Sequence, residues 1–101
     1  MLKDIELKHD DLEALCKAHN VQKLELFGSA LTQAFQASSD LDFLVTFQNM
    51  LPAKRSEAYF GLWFGLEDLF ERKVDLIIRD AVQNPYFERE VTQTAQSLYA
   101  A

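Results

Sequence analysis

The chain has 101 residues, 49% of them hydrophobic and 12% aromatic, with a formal net charge of −6. That supports one packed core in a single domain over residues 1–101 and excludes a disordered tail; the acid surplus argues against a non-specific electrostatic grip on nucleic acid. The single Cys16 excludes an internal disulfide and fits a reducing cytoplasm, while MLKDIELKHDD lacks the apolar core of a signal peptide and no apolar run reaches membrane-spanning length.

In chain order, Asp10 and Glu13 have the spacing of a capping box, and Leu12, Leu15, Cys16 and His19 recur at helical period before Asn20, a good stop. Cys16 and His19 read as packing residues of this first helix, with no spacing that suggests zinc. Lys23–Phe27 sets Leu24 and Leu26 against Glu25 and Phe27, a strand with one buried face. Ala30–Phe35 predicts a short helix. Leu41–Phe47 alternates again, with Leu41, Phe43, Val45 and Phe47 opposite Asp42, Leu44 and Thr46. Arg55–Phe70 predicts a helix, and Val74–Ile78 a third strand with Asp75 facing away from Val74, Leu76 and Ile78. Asn84-Pro85 suits an N-cap and first helical position, with Phe87, Val91, Ala95 and Leu98 as the stripe of a last helix. The order α-β-α-β-α-β-α defines an α+β protein of two layers: a small three-stranded sheet, mixed or antiparallel, with helices mainly on one face. Neither repeats nor Gly/Pro linkers divide it.

Three acids stand out. In a strand, Asp40 and Asp42 point the same way, with Cα atoms about 6.5 Å apart. If Val74–Ile78 pairs alongside, Asp75 joins them on that face. Carboxylates about 5–6 Å apart repel by roughly 3 kcal/mol per pair at an effective dielectric near 20. Divalent cations relieve that cost, and Mg²⁺ favours one or two carboxylates plus substrate phosphate oxygens. A lone D-x-D is ordinary turn and strand-start chemistry; an acid inside the apolar run V-D-L-I-I is not. The bland alternative for Asp75 is an ion pair with Arg72, Lys73 or Arg79. Gly28-Ser29 follows a strand and opens the next predicted helix, where backbone N–H groups, the helix end and a hydroxyl favour an anion.

Gly28-Ser29, ten intervening residues, then Asp40-Leu41-Asp42 before an apolar strand resembles the signature of the nucleotidyltransferase superfamily with the polymerase-β-like fold. The short length, ERKVDLII around Asp75 and the ending NPYFEREV…LYA are similar to the minimal nucleotidyltransferases, the antitoxins of HEPN/MNT toxin–antitoxin pairs. The resemblance implies an enzyme that uses ATP and Mg²⁺ to transfer AMP to a hydroxyl, a tyrosine of a partner HEPN ribonuclease. It puts the family's catalytic, metal-binding acids on Asp40, Asp42 and Asp75, with one ion on all three and a second on Asp40 and Asp42. Gly28 and Ser29 take the phosphate-binding role. The family continues after Gly-Ser as x-A-R-G; here Ala30, Leu31, Thr32 and Gln33 stand in those places, so the Arg and second Gly are missing. That departure favours the alternative, a non-catalytic module that neutralises its partner by occlusion.

One helix face has a second use. Phe60 and Phe64 lie one turn apart beside Glu67, Asp68 and Glu71, with Gly61 and Gly65 to the side. If the rest of the domain leaves them uncovered, Phe60 and Phe64 with the Gly61/Gly65 groove contact a partner protein or a second copy of the chain. Tyr86 and Tyr99 read as amphipathic packing residues rather than nucleotide acceptors.

Overall fold

A computed structural model of the chain describes residues 2–27, 41–81, 84–86, 89, 93 and 95–101. The elements are α1 (Leu2–Leu7), α2 (His9–Ala18), β1 (Val21–Phe27), β2 (Leu41–Phe47), α3 (Pro52–Phe70), β3 (Val74–Ile78), a 3₁₀ turn (Arg79–Ala81) and β4 (Gln96–Ala100). They form one mixed four-stranded sheet in the order β3-β2-β1-β4. The β2–β3 pair is parallel, while β1 runs antiparallel to both β2 and β4.

The alternation in β2 decides which face the helices cover. Leu41, Phe43, Val45 and Phe47 join Leu24, Leu26, Val74 and Leu76 in one apolar cluster. Against it α3 sets Ala58, Leu62, Leu66 and Phe70 at four-residue spacing, and α2 adds Leu12 and Cys16. Phe43 is fully buried and stacks on Phe70 with ring centroids 6.0 Å apart. Burial pushes the Cys16 thiol up to about 12, so it behaves as a small apolar side chain.

Gly61 and Gly65 serve the inside of the fold. A Cβ at Gly61 would stand 2.5 Å from His19 Cε1, and one at Gly65 would stand 2.5 Å from Leu15 Cδ1. The groove assigned to a partner is therefore filled by α2 of the same chain. Leu15 and His19, also four residues apart, are what approach these two glycines.

A second stripe of α3 closes the outer edge of β3. The Tyr59 hydroxyl donates to Leu76 O at 2.6 Å, Trp63 Nε1 donates to Val74 O at 2.9 Å, and Val74 N donates to Glu67 Oε2 at 3.1 Å. Residues at i, i+4 and i+8 share a helix face, so these side chains run along the edge and satisfy groups that would otherwise invite another strand.

Several expectations shift. Leu12 N donates to Lys8 O at 2.9 Å, so helical bonding starts two residues before Asp10, with no side-chain cap at Lys8. The capping box is not formed; Glu13 instead meets Lys17 at 2.9 Å. Asn20, at φ 56, ends α2 as expected. The third helix begins at Pro52 rather than Arg55. At the end of the chain, Asn84 Oδ1 accepts from Tyr86 N at 2.9 Å, the cap expected there. Pro85, Tyr86, Arg89 and Gln93 are helical, but Gln96–Ala100 is a fourth strand rather than the end of that helix. Pairing with β1 satisfies its open edge and packs Leu98 and Tyr99 onto the core. Tyr86, 81% exposed, does not pack as expected. The short helix expected at Ala30–Phe35 lies outside the described residues.

Candidate active site

The sheet face opposite α2 and α3 carries the acids. Register pairs Asp42 with Asp75 across the parallel β2–β3 ladder, so their side chains leave the sheet on the same side from strands about 4.8 Å apart. Leu41 N donating to Lys73 O at 3.0 Å locks this pairing one step earlier. A one-residue slip of either strand would send one carboxylate into the helix-covered core, so the apolar residues of that core hold the two acids together. Asp42 is half-buried and Asp75 exposed.

On the other side of β2, Phe27 is the register partner of Asp42. Phe27 immediately precedes Gly28 in the chain, and Leu41, the first residue of β2, immediately follows Asp40. Gly28, Ser29 and Asp40 themselves lie outside the described residues. Beneath the carboxylates, Phe27 and Leu44 form a small apolar cluster with Ile77 and Ala95.

Sequence reasoning missed Glu25. It is 6% exposed and sits in β1 on the same face as Asp42 and Asp75, two residues from Phe27. Arg79 Nη1 donates to Glu25 Oε1 at 2.9 Å, and Lys23 Nζ lies 3.8 Å from Glu25 Oε2. The Arg79 pair links the end of β3 to β1 across β2. It also engages one of the cations considered as a neutralising partner for Asp75. Among the described residues, no cation stands at ion-pair distance from Asp75. The only hint in the sequence was an acid in the middle of an otherwise apolar LELF, the same signal that marked Asp75. Tyr59 senses this edge: burial first, then the negative charge of Asp75, holds its phenol above the usual range.

The donor set suits a hard divalent cation. Two carboxylates on one face of neighbouring strands offer oxygen ligands of the kind Mg²⁺ takes. His9, Asp10 and Glu13 also place ligand atoms within 4.8 Å of one another. That group is exposed on one turn of α2, however, and Lys17 holds the Glu13 carboxyl below its usual range by hydrogen bond and charge. It is helix-surface electrostatics.

A small mixed sheet thus carries α2 and α3 on one face and the paired acids Asp42 and Asp75 on the other. The chain belongs to the family described as "Polymerase beta, Nucleotidyltransferase", whose profile matches residues 10–101. Among curated relatives, "Putative protein adenylyltransferase MJ0128" of Methanocaldococcus jannaschii is 33% identical over 92 residues, covering 91% of this chain and 89% of that protein. Two solved structures share the fold. One is described as a "putative minimal nucleotidyltransferase", with TM-score 0.69 and 23% identity, covering 94% of this chain and 93% of the other. The other is a complex of a tri-AMPylated Shewanella oneidensis HEPN toxin with an MNT antitoxin, with TM-score 0.66 and 20% identity, covering 96% and 73%.

Proposed function

We propose that this nucleotidyltransferase transfers AMP from ATP to a hydroxyl of a partner protein, a tyrosine of a HEPN-type toxin, and thereby acts as its cytoplasmic antitoxin. The observation that carries the reading is the register partnership of Asp42 and Asp75 on the sheet face opposite α2 and α3. Support comes from the family match, the name of the curated relative and the AMPylated toxin in the neighbouring complex.

Asp42 and Asp75, with Asp40, would hold Mg²⁺, and Asp40 with Asp42 a second ion. When bound, Mg²⁺ lowers the pKa of an acceptor hydroxyl and offsets charge on departing pyrophosphate. Gly28 and Ser29 would donate to the β- and γ-phosphates, fixing the α-phosphorus in line with the acceptor. The acceptor oxygen then forms a bond to that phosphorus, the bond to pyrophosphate breaks, and the tyrosine proton leaves to solvent. The chain thus supplies position and charge rather than a covalent intermediate.

Occlusion without catalysis is the second reading, favoured by Thr32 and Gln33 in the places of the family's Arg and Gly. Incubating the toxin with wild type or Asp42→Asn, ATP and Mg²⁺, then weighing the toxin by intact mass spectrometry, separates the two. Added adenylate that vanishes with Asp42→Asn is expected. Tight binding with no added mass in either case supports occlusion.

A further inference from the structure

We propose that the exposed aromatic face of α3 is where the partner protein docks, and that it receives an apolar patch of that partner rimmed by lysine and arginine. The proposal rests on the reading that the chain acts on a partner protein, and it separates the surface that holds the partner from the one that modifies it.

Phe60 is 49% exposed and Phe64 64%. Their rings stack at 6.4 Å, and each stacks on Trp63 at 6.3 Å. Tyr59 meets Phe60 edge-on at 5.3 Å. Trp63 and Tyr59 are pinned through their polar atoms to Val74 O and Leu76 O, so the platform rests on side chains already held in place. A partner that settles on it therefore loses little further side-chain freedom on this chain's side. Beside Phe60 lies a cavity of about 430 Å³ with Pro52, Tyr59, Phe60 and Ile78 as apolar walls and Ser56 and the Arg55–Asp80 ion pair, whose charges offset each other, completing it. It is large enough to take an inserted side chain, the form that binding hot spots adopt.

Charge chooses the occupant. Between Arg55 and Arg72 the chain carries Glu57, Glu67, Asp68 and Glu71 and no base. Exposed Glu57 lies one turn before Phe60, and exposed Asp68 one turn after Phe64. A second copy is a poor fit. An antiparallel two-fold pairing that stacks Phe60 on Phe64 sets Glu57 opposite Glu67, and a parallel one sets each acid beside its own copy. A basic rim meets the same acids favourably and steers the encounter.

The platform also borders the catalytic edge. Tyr59 belongs to it and senses the charge of Asp75. A partner seated on α3 lies along β3, and a mobile segment carrying the acceptor hydroxyl passes round that edge to the carboxylates.

Calorimetry with the purified toxin, at low and high salt, tests this with Phe60→Ser/Phe64→Ser and with Glu57→Lys/Asp68→Lys. Both variants are expected to weaken binding at least about tenfold, with an unchanged melting temperature and a normal transfer rate at saturating toxin. The charge-reversed variant should also lose salt dependence. Wild-type affinity in both variants, with transfer intact, would overturn the docking surface and leave the proposed activity standing. A changed oligomeric state with unchanged toxin affinity would give the face to a second copy and overturn it too, as would a large loss of melting temperature in the serine variant. If the wild-type chain neither binds nor modifies the toxin, the parent reading fails and takes this one with it.

Discussion

The two faces of the sheet differ in what their side chains are for. On the helix side, Leu24, Leu26, Phe43, Val45 and Leu76 are buried in one apolar cluster with Leu12, Leu62 and Leu66. On the other side, the same strands carry Glu25, Asp42 and Asp75 around the small Phe27–Leu44 cluster. Like charges at strand spacing repel, so the second face is held in place by the first. Apolar packing and the acids are segregated by the two-residue period of the strands. Substitutions should divide the same way.

Phe43→Ala tests the covered side hardest. Removing a fully buried ring that stacks on Phe70 should cost about 3–5 kcal/mol in denaturant unfolding, with little change in activity per folded molecule. Asp42→Asn probes the other side and should do the reverse: the proposed adenylyl transfer falls by about 100-fold or more, while the unfolding free energy changes far less than in Phe43→Ala. A large loss of stability there would break the segregation.

Between these extremes, Gly65→Leu overfills the seat of Leu15 and should cost about 1–3 kcal/mol without touching the carboxylates. Near-wild-type stability would mean that α2 can lift off α3 freely, contrary to the packing. Tyr59→Phe should give the smallest effect, about 1 kcal/mol for the lost hydrogen bond to Leu76 O. It has a pH signature, however. The Tyr59 phenol is held above its usual range in the folded chain, so its contribution is fully present below the unfolded value of about 10 and fades as pH rises through the folded value. The difference between wild type and Tyr59→Phe should therefore narrow on the alkaline side. A gap that persists to high pH would show that the phenol does not ionise with the loss of that bond.

Much of the fold was legible because alternation is a strong local signal. The bounds of β2 and β3 follow directly from LDFLVTF and VDLII. The acid interrupting the second run marked its polar face. Where the sequence misled, a distant partner decided. Phe87, Val91, Ala95 and Leu98 do have helical period, but the free edge of β1 takes Gln96–Ala100 as a strand. The Gly61/Gly65 groove reads the same whether α2 or another protein fills it. Glu25 was passed over because its partner, Arg79, lies 54 residues away in the turn after β3.

The sequence by itself determined that two acids would stand at the same depth in two apolar strands, since side-chain period and the cost of an acid in an apolar run are local facts. Only the tertiary structure decided that those strands lie side by side with Asp42 against Asp75. It also decided that helix α2 claims the glycines and that Phe60 and Phe64 stay in water. Those outcomes depend on which surfaces compete for burial once the chain has closed, and that competition is not written in any single segment.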